Sequence, residues 1–409
     1  MSSEPFTPTK TPRLRLALLF FLQPLSSALW MLPFGNILAS RGWEWLVPVV
    51  FAFPPFAALF APLLAAVVAD HKMASQSVLR YLLLGSSAMM FAASLAVKEG
   101  SGLAVLACMA AHAILFAPTG TLATAIVLAN SKDPARDFPF FRLWSTVSYI
   151  AAGYLISFVM KADFSPAAMV AASAAELALS LFTFLLPRSP APNLSLREGG
   201  WKRLLGIEAV LRFPGGLAAT LLVLLTTTMC FSAAFFPYAP QLLHARGVEH
   251  PSAWMTVGQW SEIVFIALLP FILGRIPPRW LMLIGLACSG IRALSFTAYA
   301  AGGEMALAVL GLAMHGPVTA FTFVAMQIFM EKHLPLDARN RSQALVSMFG
   351  SGLGPLAGMI MAGLLAARTI LAADHGDGSW MIFWGSLSVL HLVAGGIFYL
   401  KIRTSSATG

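Results

Sequence analysis

Long apolar stretches, each about as long as a membrane-spanning helix, recur along the entire chain of 409 residues. A helix needs about 20 mostly apolar residues to cross the hydrocarbon core of a bilayer. Twelve stretches reach that length, at positions 14–39, 45–69, 79–97, 103–129, 143–160, 167–187, 215–243, 253–273, 281–301, 305–329, 342–367 and 380–400. The sequence therefore predicts an all-α membrane protein with twelve transmembrane helices.

The composition excludes the other broad classes of protein. Apolar residues make up 58% of the chain and charged residues 11%, whereas soluble domains contain about 45–50% and about 25%. Such hydrophobicity also excludes an intrinsically disordered chain. The net charge of +9 lies in short basic clusters between apolar stretches, which indicates membrane topology rather than nucleic-acid binding. The three cysteines show no CxxC spacing, so we predict no metal site, and we expect no cofactor.

The distribution of Lys and Arg predicts the orientation of the chain. Basic residues concentrate before the first span, in the even-numbered loops and after the last span. The odd-numbered loops carry few of them: Arg41, Lys98, Lys161, Arg246 and Arg368. Because cytoplasmic loops are enriched in Lys and Arg, we expect both termini to be cytoplasmic.

The longest loop divides the predicted helices into two groups of six. It occupies residues 188–214, and within it residues 201–207 form a short basic amphipathic segment suited to a membrane surface. A Lys…Pro…Ala-Arg pattern follows both the fourth and the tenth span, at 132–136 and 332–339. We therefore predict six-helix bundles at 1–187 and 215–409, related by an axis along the membrane normal.

Ionisable residues inside predicted spans are candidate functional residues, because a charge at membrane depth is costly. Glu262 lies in the eighth span with Gln259 three residues before it, so both side chains share one helical face. This pair could bind a polar solute, and the carboxylate could also take a proton. Alternatively, Glu262 forms a structural ion pair with Arg292 of the ninth span. The two interpretations are compatible, because an ion pair that breaks on protonation is itself a coupling device.

A second polar stripe lies on the fifth span. Arg142, Thr146 and Tyr149 are spaced i, i+4 and i+7, which places them on one face of a helix. A guanidinium, a hydroxyl and an aromatic ring suit a polar, ring-shaped ligand. The alternative is that Arg142 extends to the cytoplasmic interface while the other two side chains pack.

The tenth span repeats this spacing with His315, Thr319 and Thr322. These side chains could line a polar cavity. We favour a packing role for His315, and the threonines could simply bond back to the preceding turn of their own helix.

The remaining polar residues in the spans receive weaker assignments. Glu176 of the sixth span has no evident partner, and a lipid-facing or interfacial position is as consistent with its surroundings as a functional one. We interpret His112 and His391 as structural. Four further residues are candidates for lining a cavity: Gln23 and Trp30 in the first span, and Tyr238 and Gln241 in the seventh.

Several motifs carry a resemblance to known transporters. The loop after the second span contains Ala69-Asp70-His71-Lys72, with Asp70 and Lys72 as its acidic and basic members. Together with twelve spans split six and six, this loop resembles the major facilitator superfamily. Other stretches resemble one branch of it, the bacterial nucleoside:proton symporters: FLQ at 21–23, DFPFFRLWST at 137–146, LLGIEA at 204–209, QWSE at 259–262, IR at 291–292 and FMEK at 329–332.

This resemblance implies the major facilitator fold and proton-coupled nucleoside uptake across the inner membrane. It implies that five residues face a central cavity and contact the nucleoside: Arg142, Thr146, Tyr149, Gln259 and Glu262. Members of that branch place a carboxylate in the tenth helix, where this chain has Ala320 after Thr319. Apolar residues near Ala233 and Phe236 likewise replace a polar pair in the seventh helix. Glu262, together with Arg292, is therefore expected to carry more of the proton coupling. We expect the chain to act as a monomer in a lipid bilayer.

Other functions are compatible with parts of the sequence. A sugar:proton symporter or a drug exporter could use the same scaffold. An intramembrane enzyme is disfavoured, because the chain contains no HExxH, GxSxG or phosphate-binding loop. A sensor that binds ligand without moving it is a third alternative, which the absence of the tenth-helix carboxylate slightly favours.

Overall fold

A computed structural model describes residues 13–69, 73–131, 134–189, 216–333, 345–371 and 378–407. Within these ranges all regular structure is helical. Three features predicted from the sequence lie outside the described residues: the loop motif with Asp70 and Lys72, the amphipathic segment 201–207 and the motif at 204–209.

The described residues of the first part of the chain contain seven α-helices. In chain order these are α1 (Arg13–Met31), α2 (Phe34–Ala39), α3 (Val47–Ala69), α4 (Ser75–Lys98), α5 (Gly102–Asn130), α6 (Pro134–Tyr154) and α7 (Ala167–Phe182). Short 3-10 turns at Glu44–Leu46 and Thr183–Leu185 precede α3 and follow α7, and a π-helical segment, Leu155–Val159, extends α6.

The second part contains nine described α-helices. These are α8 (Leu217–Ser232), α9 (Phe235–Ala245), α10 (Pro251–Leu273), α11 (Pro278–Ala300), α12 (Met305–Ala313), α13 (His315–Val318), α14 (Ala325–His333), α15 (Gly354–Arg368) and α16 (Ser379–Ala407). A π-helical segment, Thr319–Val324, joins α13 to α14, and another, Met348–Leu353, precedes α15.

Ten of the twelve predicted spans are confirmed as helices that are long and apolar enough to cross a membrane. They occupy Arg13–Ala39, Ser75–Lys98, Gly102–Asn130, Ala167–Leu185, Leu217–Ala245, Pro251–Leu273, Pro278–Ala300, Met305–His333, Leu345–Arg368 and Ser379–Arg403. The remaining two predictions fall on α3 and α6, which are helices of 23 and 21 residues. In the region of α3, the apolar helix found within the described residues is Glu44–Phe60, which is shorter than a membrane-spanning helix.

Prolines explain two places where a predicted span is interrupted. α1 ends at Met31, and a turn at Leu32 and Pro33 precedes α2. Proline lacks an N–H group and disfavours helical geometry in the residue before it, so a helix commonly ends there. In the tenth span α12 ends at Ala313, and the π-helical segment begins two residues after Pro317. π-Helical insertions in α-helices are frequently found at functional sites.

The described residues form two compact units. The N unit comprises those within Met1–Ile37 and Phe60–Leu196, and the C unit comprises those within Leu38–Leu59 and Arg197–Gly409. Each unit has its own apolar core. The N unit packs α1, α4, α5, α6 and α7 around fully buried side chains that include Leu19, Leu79, Leu83, Ile126 and Leu179. In the C unit the corresponding core includes Leu221, Leu224, Leu286, Met326 and Val346.

The outer faces of the helices are apolar as well. On α16 the side chains of Leu392, Val393, Ile397 and Leu400 are all exposed. Soluble monomers rarely expose an apolar strip of this extent, so the surface fits a hydrocarbon environment. Between helices, small residues permit close contact: a Cβ atom on Gly358 of α15 would overlap the carbonyl oxygen of Cys230 on α8.

Candidate functional site

The predicted pair Gln259 and Glu262 lies buried on one face of α10. Their exposed fractions are only 3% and 6%, although both carry polar groups. The carboxylate Oε2 of Glu262 lies 3.7 Å from Nε2 of His315, the first residue of α13. A buried carboxylate in an apolar helix bundle needs a charged or hydrogen-bonding partner, and at this distance the imidazole is an ion-pair partner only when it is protonated.

Two glycines bring α10 and α13 close enough for this contact. A Cβ atom on Gly258 would lie 3.0 Å from Cβ of His315, and one on Gly316 would overlap Ser261. The hydroxyl of Ser261 donates a hydrogen bond to the carbonyl oxygen of Ala313, with an O···O distance of 2.5 Å. The two helices therefore touch along their backbones immediately beside Glu262.

An aromatic ring connects His315 to the buried arginine of α11. The imidazole of His315 stacks on the ring of Phe235, with centroids 4.9 Å apart and planes 10° apart. The guanidinium carbon of Arg292 lies 4.8 Å from the centroid of the same Phe235 ring. Cations are attracted to aromatic faces, most strongly where water is excluded. Glu262, His315, Phe235 and Arg292 thus form a continuous cluster within the C unit.

Arg292 is further held by a hydrogen-bonded network. Its Nη2 donates to Oγ of Ser289 at 3.1 Å, and that hydroxyl also lies 2.8 Å from Nε2 of His391 and 2.9 Å from Oγ of Ser232. Because Nδ1 of His391 donates to the carbonyl oxygen of Leu387, Nε2 of the neutral ring accepts from Ser289. His391 therefore has a structural role in this arrangement, positioning Ser289 for Arg292.

The predicted ion pair between Glu262 and Arg292 remains a prediction. The contacts described for Arg292 are with Ser289 and Phe235, and the titratable side chain described beside Glu262 is His315. The two charged side chains are linked through the rings of His315 and Phe235.

The polar groups of the C unit that are buried with no hydrogen-bond partner in the described structure include Nε2 of Gln259, Nδ1 of His315 and the hydroxyl of Tyr238. Buried polar groups are normally satisfied, so each exception requires an explanation. Gln259 and His315 belong to the cluster around Glu262, where an incoming polar ligand could supply the missing partners.

The predicted stripe on α6 belongs to the N unit. Thr146 is buried, whereas Arg142 and Tyr149 are half-buried. The hydroxyl of Tyr149 donates to Sδ of Met31 at 3.8 Å. No hydrogen bond or ion pair involves Arg142 within the described residues, so its guanidinium is free to meet a ligand. On the neighbouring helices, Gln23 donates to Thr119 at 3.2 Å.

Two of the three predicted residues of the tenth span, Thr319 and Thr322, lie in its π-helical segment, whereas His315 begins α13. Thr319 is half-buried, whereas Thr322 is fully buried and its hydroxyl donates to the carbonyl oxygen of Val318. The methyl group of Thr322 packs against Gly285 of α11. Ala320 lies in an apolar cluster with Leu269 and Leu281. The position at which the resemblance implies a carboxylate is therefore packed as an apolar one.

The structure corrects or extends the sequence-based predictions at three residues. Glu176 does not face lipid: it is completely buried and pairs with His112 at 2.8 Å. His315, for which the sequence favours packing, also contacts Glu262. Asn36 is missed by the sequence-based reasoning, although it is 1% exposed and neither atom of its amide has a described hydrogen-bond partner. An asparagine inside an apolar span is the signal that could have found it.

Known proteins match almost the whole chain. The sequence model of a family described as Nucleoside H+ symporter matches residues 11–407. The Escherichia coli (strain K12) protein YegT, a putative nucleoside transporter by name, is 27% identical over 393 residues, covering 92% of this chain and 89% of that protein. The nucleoside permease NupG of the same organism is 25% identical over 421 residues, covering 97% and 98%.

Solved structures share the fold. A crystal structure of the nucleoside transporter NupG superimposes with a TM-score of 0.77 at 23% identity, covering 95% of this chain and 98% of that chain. The POT family transporter PepTSo superimposes with a TM-score of 0.71 at 14% identity, covering 99% and 100%. The chain therefore shares the helical fold of these two structures.

Proposed function

Because this chain belongs to the nucleoside H+ symporter family, we propose that it carries nucleosides into the cell together with protons. The named relatives include a nucleoside permease and a xanthosine permease. Uptake would proceed by alternating access, in which two helical bundles rock around a site near the middle of the membrane.

The observation that carries this proposal is the buried cluster of Gln259, Glu262 and His315. A nucleoside presents ribose hydroxyls, which donate and accept hydrogen bonds, and a base edge with further donors and acceptors. The carboxylate of Glu262 can accept from hydroxyl groups, and Nε2 of Gln259 is a buried donor without a described partner. Polar groups that a ligand leaves unmatched in such a site cost binding energy, which favours substrates with the correct pattern. Arg142, Thr146, Tyr149, Thr319 and Thr322 complete the proposed substrate-binding set.

Glu262 is also the proposed carrier of the coupling proton in the C unit. With a proton on Glu262 the cluster with His315 is neutral, and without it the cluster holds a negative charge beside Arg292. A charge that appears and disappears in a buried site can favour one conformation over another. Arg292 would stabilise the deprotonated state through its position on Phe235.

The proposed membrane arrangement follows from the apolar spans and the basic loops. Twelve helices would cross the inner membrane as two bundles, 1–187 and 215–409, joined by a cytoplasmic segment at 188–214. Both termini would be cytoplasmic, since the basic loops lie on that side. We propose that the protein works as a monomer, because one chain supplies both bundles.

Uptake of radiolabelled uridine and adenosine in a transport-deficient bacterial strain tests the function. We expect uptake above the empty-vector level, and we expect a protonophore to abolish accumulation. Unlabelled nucleosides should compete, whereas hexoses should not. A protein that reaches the membrane but takes up neither nucleoside would contradict the substrate assignment, and competition by hexoses would favour a sugar:proton symporter.

A conservative change tests the role of Arg292. Arg292→Lys keeps the positive charge, but a compact ammonium cannot both lie over Phe235 and donate to Ser289 as the guanidinium does. Losing a buried cation–π contact of about 0.5–2 kcal/mol is expected to reduce uridine uptake by about 2- to 30-fold. The matched control is Arg275→Lys, at an exposed position in the same unit. Equal uptake in both variants would show that charge alone is sufficient.

A further inference from the structure

A second buried cluster of titratable groups lies in the N unit, away from the residues proposed to bind substrate. The carboxylate of Glu176 on α7 receives two hydrogen bonds: Oγ of Ser86 on α4 donates to Oε2 at 2.6 Å, and Nε2 of His112 on α5 lies 2.8 Å from Oε1. Glu176 and Ser86 are fully buried and His112 is 2% exposed. Three helices that are distant in sequence thus meet at one carboxylate.

Aromatic and polar residues enclose this cluster on its remaining sides. The imidazole of His112 stacks on Phe116 at 5.3 Å, and the ring of Trp30 on α1 meets it edge-on at 6.0 Å. Ser87, the residue after Ser86, and Ser173, one turn before Glu176, join α4 to α7: the hydroxyl of each donates to the carbonyl oxygen of the other. Water is therefore excluded, and a net charge at Glu176 is costly unless the neighbours stabilise it.

The other charged groups on the four surrounding helices α1, α4, α5 and α7 lie towards the helix ends. The remaining charged or titratable side chains of these helices are Arg13, Arg15, Arg80, Tyr81, Lys98 and Cys108. Arg80 is bound to Thr183, and Arg15 to the carbonyl oxygen of Leu185. Arg80 precedes Ser86 by six residues, which is about 9 Å along the helix axis. Cys108 lies one turn before His112 and is half-buried.

The hydrogen-bond geometry of the cluster is compatible with two protonation states. With a neutral imidazole, Nε2–H of His112 and the hydroxyl of Ser86 both donate to an ionised Glu176, and the cluster carries one negative charge. Nδ1 of His112 is buried and has no hydrogen-bond partner in the described structure. A proton added at Nδ1, or on the carboxylate, removes this net negative charge.

We propose that Glu176, His112 and Ser86 form a second proton-binding site, which carries the coupling proton of the N unit. This inference rests on the proposed function of proton-driven nucleoside uptake. It gives a buried carboxylate–imidazole pair to each unit: Glu262 with His315 in one and Glu176 with His112 in the other. The N-unit pair lies outside the proposed substrate site, so its proton responds to the conformation of the unit rather than to direct contact with substrate.

Helix α1 provides the physical connection from this site to the stripe on α6. Trp30 contacts His112, and the next residue, Met31, accepts the hydrogen bond of Tyr149. Further along α1, the carbonyl oxygen of Phe20 accepts from Ser145 of α6. A change in charge at His112 therefore acts on the helix against which the proposed substrate residues of α6 pack.

Transport assays in proteoliposomes separate this role from a structural one. Glu176→Gln keeps the shape of the side chain but cannot be ionised. Uridine uptake driven by a proton gradient is expected to fall about 5- to 150-fold, the usual range for coupling between sites. Uridine counterflow, which needs binding and alternating access but no net proton movement, should stay close to the wild-type rate. The matched control is Glu99→Gln, an exposed carboxylate that follows α4.

Ser86→Ala provides an independent measurement if Glu176→Gln does not fold. Removing one hydrogen-bond donor from the carboxylate disfavours its charged form, so the pH at which uptake is half-maximal should rise by roughly half to one unit. An unchanged midpoint overturns the proposal. The proposal is also overturned if Glu176→Gln retains proton-driven uptake. It is overturned as well if that variant loses proton-driven uptake and counterflow to the same extent. A wild-type protein whose accumulation of uridine is the same with and without a proton gradient overturns the proposed function as well, which distinguishes the two failures.

Discussion

Replacing Glu262 with glutamine is expected to lower proton-driven uridine uptake by about 10- to 150-fold, which corresponds to losing a hydrogen bond to a charged group. The substitution preserves the volume of a side chain that is 6% exposed on α10. It removes the negative charge that faces His315 at 3.7 Å and the ability to bind a proton. Uptake by wild type and variant in the same transport-deficient strain measures the effect.

The Glu262→Gln variant should differ from Glu176→Gln in one respect. Because Glu262 is proposed to contact the nucleoside, counterflow should fall together with proton-driven uptake, whereas Glu176→Gln should spare counterflow. Glu304→Gln is the matched control, since this exposed carboxylate lies in the same unit. If Glu262→Gln kept counterflow and lost only the response to the proton gradient, Glu262 would carry protons without binding substrate.

The helices of this protein could be predicted from sequence because hydropathy is a local property. Each span needs only its own run of apolar residues, and ten of the twelve predictions correspond to helices that meet the criteria for crossing a membrane. Hydropathy alone does not predict where a helix is interrupted within a span. Pro33 and Pro317 indicate where α1 ends and where the tenth span is interrupted, but neither proline predicts that Thr319–Val324 is π-helical. Its wider turn depends on how this helix packs against α10 and α11.

Pairing between helices could not be predicted in the same way. Gln259 and Glu262 lie one turn apart, so their common face follows from helix geometry. His112 and Glu176 are 64 residues apart, and their contact depends on how α5 and α7 pack on α4. The sequence therefore shows that Glu176 is a carboxylate inside an apolar span, but it does not indicate that His112 is its partner. For the same reason the sequence favours a packing role for His315, because only the crossing of α10 and α13 brings it to Glu262.

The close contact between α10 and α13 leads to a second prediction with a large expected effect. Gly316→Leu is expected to prevent the helices from closing beside Glu262, because even a Cβ atom at this position would overlap the backbone and hydroxyl of Ser261. Neither helix can yield without breaking the hydrogen bond from Ser261 to Ala313 and separating His315 from Glu262. Forcing a large side chain into a packed interior costs about 3 kcal/mol or more in such a case. We expect a lower melting temperature, less monodisperse protein and no detectable uridine uptake.

Gly396→Leu provides the matched comparison, because Gly396 is an exposed glycine of α16 with no heavy atom within 4 Å of the added Cβ. Glycine in a helix interior costs about 0.5–1 kcal/mol relative to alanine, so a larger residue there should leave the melting temperature unchanged or raise it. The two variants add the same side chain to the same unit, and they differ in whether another helix occupies the space. If both lowered the melting temperature equally, the added leucine itself would be responsible, and the close contact of α10 with α13 would not be what holds His315 beside Glu262.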